Sequence, residues 1–316
     1  MKLDPSVLTY GNLVGSYVQV NRLDEARARA QEAQAHNLDD PRIHLLLYEI
    51  DFLQHDAAGM EREAAGLMGK PGYDDLMLGT ESETAAYGGQ FAKARELTRR
   101  ASDSAQRADK KETAATYEAA AAMDEVLVGN MSQAKQQAQA ALALSTSTDI
   151  EAAVSALALG LAGDAPQATR LAADLAKRFP EDTIVQFEYL PMIHAAAALQ
   201  NGSATKALEA LAPAAPYELG TAAGLYPAYL RGEAYLTAHQ GSAAAAEFQK
   251  ILDHAGVVFN DLMGALAHLG LARAYALSGD TVKAKSAYQD FLRLWKDADP
   301  DIPILKEAKA EYAKLK

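Results

Sequence analysis

Residues 266–292 read LAHLGLARAYALSGDTVKAKSAYQDFL. The spacing predicts two short amphipathic helices joined by a tight turn. The first places Leu271, Ala272 and Tyr275 on one face, and Gly279-Asp280 ends it. The second begins near Thr281 and returns Ala284, Tyr288, Phe291 and Leu292 toward the first. The small side chains of Ala272 and Ala284 let the backbones approach, and Tyr275 and Tyr288 fill the space beside them. Such a unit cannot bury its apolar face alone and needs neighbours of the same kind.

Working outward, the small residue that opens each second helix serves as a register mark. Ala26, Glu61, Ala94, Ala134, Ala168, Ala207, Ala244 and Ala284 take that position. Turns fall at Asn21, His55-Asp56, Gly88-Gly89, Gly129-Asn130, Gly163-Asp164, Asn201-Gly202, near Gln240-Gly241 and at Gly279-Asp280. The expected hairpins run roughly over 5–40, 41–70, 73–108, 110–146, 149–180, 183–213, 221–254 and 261–297. A helix over 302–315, with Lys and Glu on its outer side, closes the array as a cap. The Pro-Gly step in KPGYDD (70–75) marks a loop, and DADPD (297–301) reads as a linker before the cap. The whole chain, 1–316, is expected to be one all-α array of about eight hairpins plus the capping helix.

The order of small and large residues over about 34 positions resembles the tetratricopeptide (TPR) pattern. The resemblance spans roughly 5–297 and is best at 227–252 and 266–292. It implies a right-handed α-solenoid whose first helices line a concave groove. More narrowly, EFQKILDH, GALAHLGLARAYALSGDTVKAKSAYQDFL and WKDADPDIPILKEAKAEYAKL are similar to the carboxyl-terminal repeat regions of bacterial, especially acidobacterial, serine/threonine protein kinases. KPG, AKARELTRRA, RFPEDTIVQFEYLP and APYELG fit the same resemblance. It implies a sensor or scaffold region of a larger signalling protein. The chain would be cytoplasmic if free-standing, and periplasmic if taken from a membrane-spanning kinase. The glycine-rich loop, strand lysine, catalytic-loop Asp and DFG-type Asp of a kinase are absent from the sequence.

Composition narrows the partners. A formal net charge of −12 argues against nucleic acid, whose binders present basic surfaces. No run of about 18 apolar residues offers a membrane span. With no Cys, neither a disulfide framework nor a thiolate metal site exists. The seven His form no HExxH pair and no i, i+4 pair, so no cofactor or metal is expected. No GxSxG elbow occurs, and the chain is read as noncatalytic.

Register from Ala195 places Tyr189 and Met192 on the inner face of the sixth hairpin. Register from Gly232 does the same for Tyr226, Tyr229 and Glu233 in the seventh, and Arg273 follows in the eighth. Aromatics flanked by polar groups suit a peptide groove. The competing reading is that these rings pack against neighbouring helices or a long loop. A clamp for an acidic peptide tail is disfavoured, because Gly15 stands where a second donor after Asn12 is needed and no lysine cluster follows. The expected function is thus a scaffold for a protein or peptide partner, the alternative being an architectural or homodimerising array with no groove ligand.

Overall fold

The computed structural model of the protein describes residues 6–38, 40–70, 73–145, 150–220 and 224–315. Met1–Pro5 and the Pro71-Gly72 step lie outside these. Among the described residues the fold is all-helical, and helices follow one another in antiparallel pairs. The pairs are α1 (Val7–Gln19) with α2 (Leu23–Ala35), α3 (Pro41–Leu53) with α4 (Ala57–Leu67), α5 (Asp74–Tyr87) with α6 (Phe91–Arg107), and α7 (Lys111–Leu127) with α8 (Met131–Leu144). They continue as α9 (Ile150–Leu161) with α10 (Ala165–Arg178), α11 (Leu190–Gln200) with α12 (Ala204–Leu211), and α13 (Tyr226–Thr237) with α14 (Gly241–Asp253). A short α15 (Ala255–Val258) precedes the last pair, α16 (Leu262–Leu277) with α17 (Thr281–Leu294), and α18 (Pro303–Lys314) follows.

One turn design recurs in all eight pairs. A single residue takes the left-handed conformation: Asn21, His55, Gly89, Gly129, Gly163, Gly202, His239 or Gly279. The next residue donates its N–H to the carbonyl five positions back, as Arg22 does to Tyr17 and Asp280 to Tyr275. This is the Schellman closure, which satisfies carbonyls left open at a helix end and favours Gly or Asn at its left-handed position. In the seventh pair that position is His239, one residue before the Gln240-Gly241 step.

The fourth residue of each second helix sets the approach between partners. Ala26, Ala94, Ala134, Ala168, Ala207, Ala244 and Ala284 hold it, and all are buried. In α4 the fourth residue is Met60, so the register mark expected at Glu61 moves back by one; Glu61 faces solvent. The close approach there is made by Gly59, where a Cβ would stand 2.5 Å from the Asp51 carboxylate. Asp51 is fully buried and paired with Arg27 of α2 at 2.5 Å.

The array is not open. The α1–α2 turn meets the α14–α15 junction, where the Asn21 side chain donates to Asp253 O (2.9 Å) and accepts from the Gly256 N–H (2.8 Å). Phe259 packs on the cluster formed by α1, α2 and α3. Asn260 donates to Thr80 O and Thr84 Oγ1 of α5. The Trp295 indole N–H donates to Tyr87 O at 2.9 Å, and Ile304 N–H donates to Val128 O at 3.2 Å. The carboxyl-terminal quarter therefore docks across the first four pairs. Each repeat packs chiefly on its neighbours, as a repeat array does, and these long-range contacts add a seam to that pattern. The segment read as a linker takes part: Asp299 Oδ2 accepts the Ala92 N–H at 2.7 Å and so caps the start of α6 from far along the chain.

Candidate functional site

Closure of the array leaves a cavity of about 300 Å³ on its inner side. Its walls come from α3, α5, α7, α9, the start of α11, the start of α13 and the 257–263 segment. The first helices supply them by register. Glu49, Glu83, Met123 and Leu157 each stand six residues before the left-handed turn residue of their pair, and all four line the cavity.

The first helix of the sixth pair departs from α geometry where it borders the cavity. Residues Val185–Tyr189 form a π-turn, with Leu190 N–H donating to Val185 O. Pro191 follows at once; having no N–H, it cannot continue the i→i−4 ladder there. The wider turn ends on Tyr189. Such single π-turns occur often at functional sites.

The six residues singled out by register divide into two places. Tyr189, Met192 and Tyr226 line the cavity. Tyr229 sits one turn further along α13 with its ring edge-on to Phe248, centroids 5.8 Å apart, inside the core. Arg273 is engaged by the cap: its guanidinium donates to both Glu311 carboxylate oxygens at 3.0 Å and to Glu307 at 3.2 Å. Tyr288 O–H adds a 2.9 Å bond to Glu311. Glu233 stands within Arg273's field, which opposes the effect of burial; burial prevails and raises the Glu233 carboxyl. The structure thus brings three of the six together around the cavity and sets the other three against the core and α18.

The charged lining consists of carboxylates that the register argument from aromatics passed over. Glu49 of α3, Glu83 of α5, Asp124 of α7 and Asp261 before α16 all face the cavity, and among the described residues no Lys, Arg or His does. Glu49 and Glu83 are 34 residues apart at one repeat position, which is the signal in the sequence that marks them. Asp261 is held: its Oδ1 accepts the Met263 N–H at 2.8 Å, capping α16, and the Tyr226 O–H at 3.1 Å. Glu49, Glu83 and Asp124 make no hydrogen bond or ion pair with the described residues.

These carboxyls resist ionisation. Burial, with the neighbouring Glu83, pushes Glu49 up to about 8. Glu83 is raised to about 7 by the protein crowded around it and by Asp261, although its side chain keeps contact with solvent in the lumen. Burial, then the charges of Asp261, Glu83 and Glu125, holds Asp124 well above the usual range. Asp261 reaches about 6, burial outweighing its two donors. Desolvation and like-charge repulsion act together here. Among the described residues, no three metal-ligating side chains converge on one point.

Scans against protein-family models and curated proteins gave no match. Among solved structures, the chain is similar to a monomeric mutant of IFIT1 with m7Gppp-AAAA, at TM-score 0.53 and 15% identity, covering 98% of this chain and 73% of that one. Yeast Tom70 follows at TM-score 0.40 and 14% identity, covering 99% and 89%. The TPR domain of P58(IPK) matches at 0.31 and 11%, covering 98% of each. The fold is that of a TPR-type array. At these identities the likeness is one of architecture. A TPR-type array presents the inner faces of its first helices, and here those faces are the cavity walls. Among the described residues no helix is long and apolar enough to cross a membrane.

Proposed function

We propose that this chain is a noncatalytic interaction module that takes a protein or peptide segment on the inner face of its first helices, with the cavity between α3, α7 and α13 as its specific pocket. The cavity itself carries this reading: concave, largely apolar, with a few polar groups directed inward, it has the make-up of a recognition site. The kinase-region resemblance of residues 247–315 supports a regulatory place within a larger signalling protein. An array of synthetic peptides probed with the purified chain tests the reading, using a variant in which Ala120→Trp fills the cavity from α7. Peptides held by the wild type and lost by the variant, with an unchanged circular-dichroism spectrum, are the expected result. Equal retention by both, or no peptide held at all, would overturn it.

A further inference from the structure

We propose that the cavity is a receptor for an organic cation, with an ammonium or guanidinium group seated among Glu49, Glu83 and Asp124 and against the rings of Tyr189 and Tyr226. This rests on reading the cavity as the binding site and names the chemistry of what enters it.

Four observations converge on a cation. Three carboxylates face the cavity with no partner among the described residues, and the described lining holds no basic residue to neutralise them. An anion would meet repulsion from every side. A neutral ligand would displace the water that solvates the carboxylates and leave them without a partner, which is costly. The carboxylates come from three different helices, with Asp261 on a fourth wall, and do not converge as metal ligands do. That spread suits donors on a larger planar or chain-like cation. The rest of the lining suits its body: Met123, Val154, Leu157 and Met263 offer apolar contact for a methylene stem, and the two tyrosine rings offer cation–π faces. The volume, about 300 Å³, lies at the small end for ligand sites and admits one long side chain or a slender amine rather than a helix.

Protonation is built into such a site. The groups facing the cation are Glu49 on α3, Glu83 on α5, Asp124 on α7, Tyr189 on the π-turn, Tyr226 on α13 and Asp261 ahead of α16; α9 contributes only Val154 and Leu157. Glu49 and Glu83, raised to about 8 and about 7, are partly protonated near neutral pH, and Asp124 is raised in the same direction. A cation favours their charged forms, so binding expels protons and strengthens as pH rises from 6 to 8.5.

The ammonium could come from a Lys or Arg side chain of a peptide or from a free polyamine. Isothermal titration calorimetry of the purified full chain at pH 8 separates these, with spermidine in one arm and an alanine-rich peptide bearing a single Lys, a single Arg or an acetylated Lys in the other. Binding in either arm is expected, with the acetylated peptide weaker by about tenfold or more. Glu49→Gln/Asp124→Asn should weaken the bound cation by at least as much. Titration of the wild type in two buffers of different ionisation heat should show proton release; this arm needs no variant to fold. No cation bound, an acetylated peptide held equally, or no proton release would each overturn the proposal. Neutral or acidic peptides lost on Ala120→Trp would leave the interaction module standing while removing the cation.

Discussion

Phe248 lies between two glycines, Gly232 of α13 and Gly270 of α16. A Cβ added to either would come within 2.7 and 2.6 Å of its ring, respectively. Gly270→Ala therefore overpacks a fully buried aromatic, and we expect a loss of about 1–3 kcal/mol in urea unfolding. An unchanged midpoint would mean the ring can swing aside freely. The cavity carboxylates make a different residue-scale prediction, one of pH. Their folded pKa values lie above the unfolded ones, so the folded chain binds more protons. The stability this brings is complete below the unfolded value, about 4.3 for Glu, and is lost as pH rises through the folded values, near 7 for Glu83 and 8 for Glu49. Thermal melts should fall between about pH 4.5 and 8. Glu49→Gln, which cannot ionise, should melt about 2–4 °C above wild type at pH 9 and show a smaller gain at pH 5. A gap independent of pH would show that the carboxyl titrates normally. Tyr189, Met192 and Tyr226 could be placed from repeat register. The acidic partners carry the same register but look like ordinary solvated residues, since charge on a helix face usually means solvent.

At the scale of elements, the turns were legible because their chemistry is local. A left-handed residue followed by a helix start is written in adjacent letters, as in Gly163-Asp164, where Asp164 also caps α10 through the Gln167 N–H. The slip at Glu61 shows where local pattern fails: Gly59 and the buried Asp51–Arg27 pair replace the usual alanine contact, and no small residue stands at the fourth position. With Met60 in that place, the marks 26, 60 and 94 stand 34 apart. The capping of α6 by Asp299 was not legible, because the two are joined by no local feature. Gln90, at the N-cap, offers no side-chain bond of its own. Asp299→Ala should cost about 0.5–2 kcal/mol, seen as faster amide hydrogen exchange in the first turn of α6 while α10, with its own cap, stays unchanged. Equal protection of α6 in the variant would show the distant cap to be dispensable.

For the whole molecule, the decisive question is whether closure couples the two ends. An open array unfolds as a chain of nearest-neighbour units, and damage in its last hairpin stays there. Here Trp295 is 2% exposed, packs on Phe291 of its own pair, donates to Tyr87 O and covers Gly89 in the third pair. Gly89 is fixed by the same contact, since a Cβ on it would lie 2.6 Å from Ala298. Trp295→Ala should cost about 3–5 kcal/mol, in the range for large aromatics taken from a core. The location of that loss is more informative than its size. If closure is energetically real, hydrogen exchange should speed up in α5 and α6 as well as in α17, and the radius of gyration from solution scattering should grow as the carboxyl-terminal quarter leaves the first pairs. If only α17 and α18 lose protection, the ends are adjacent without being coupled. The cavity would then have to be held by the 254–261 segment alone, through Asn21 against Gly256 and Asn260 against Thr80 and Thr84. Coupled ends make ligand binding a global event, because the cavity draws walls from α3 at one side of the seam and Asp261 at the other. A molecule bound there bridges the seam, and the closed turn it stabilises is also the state that binds it.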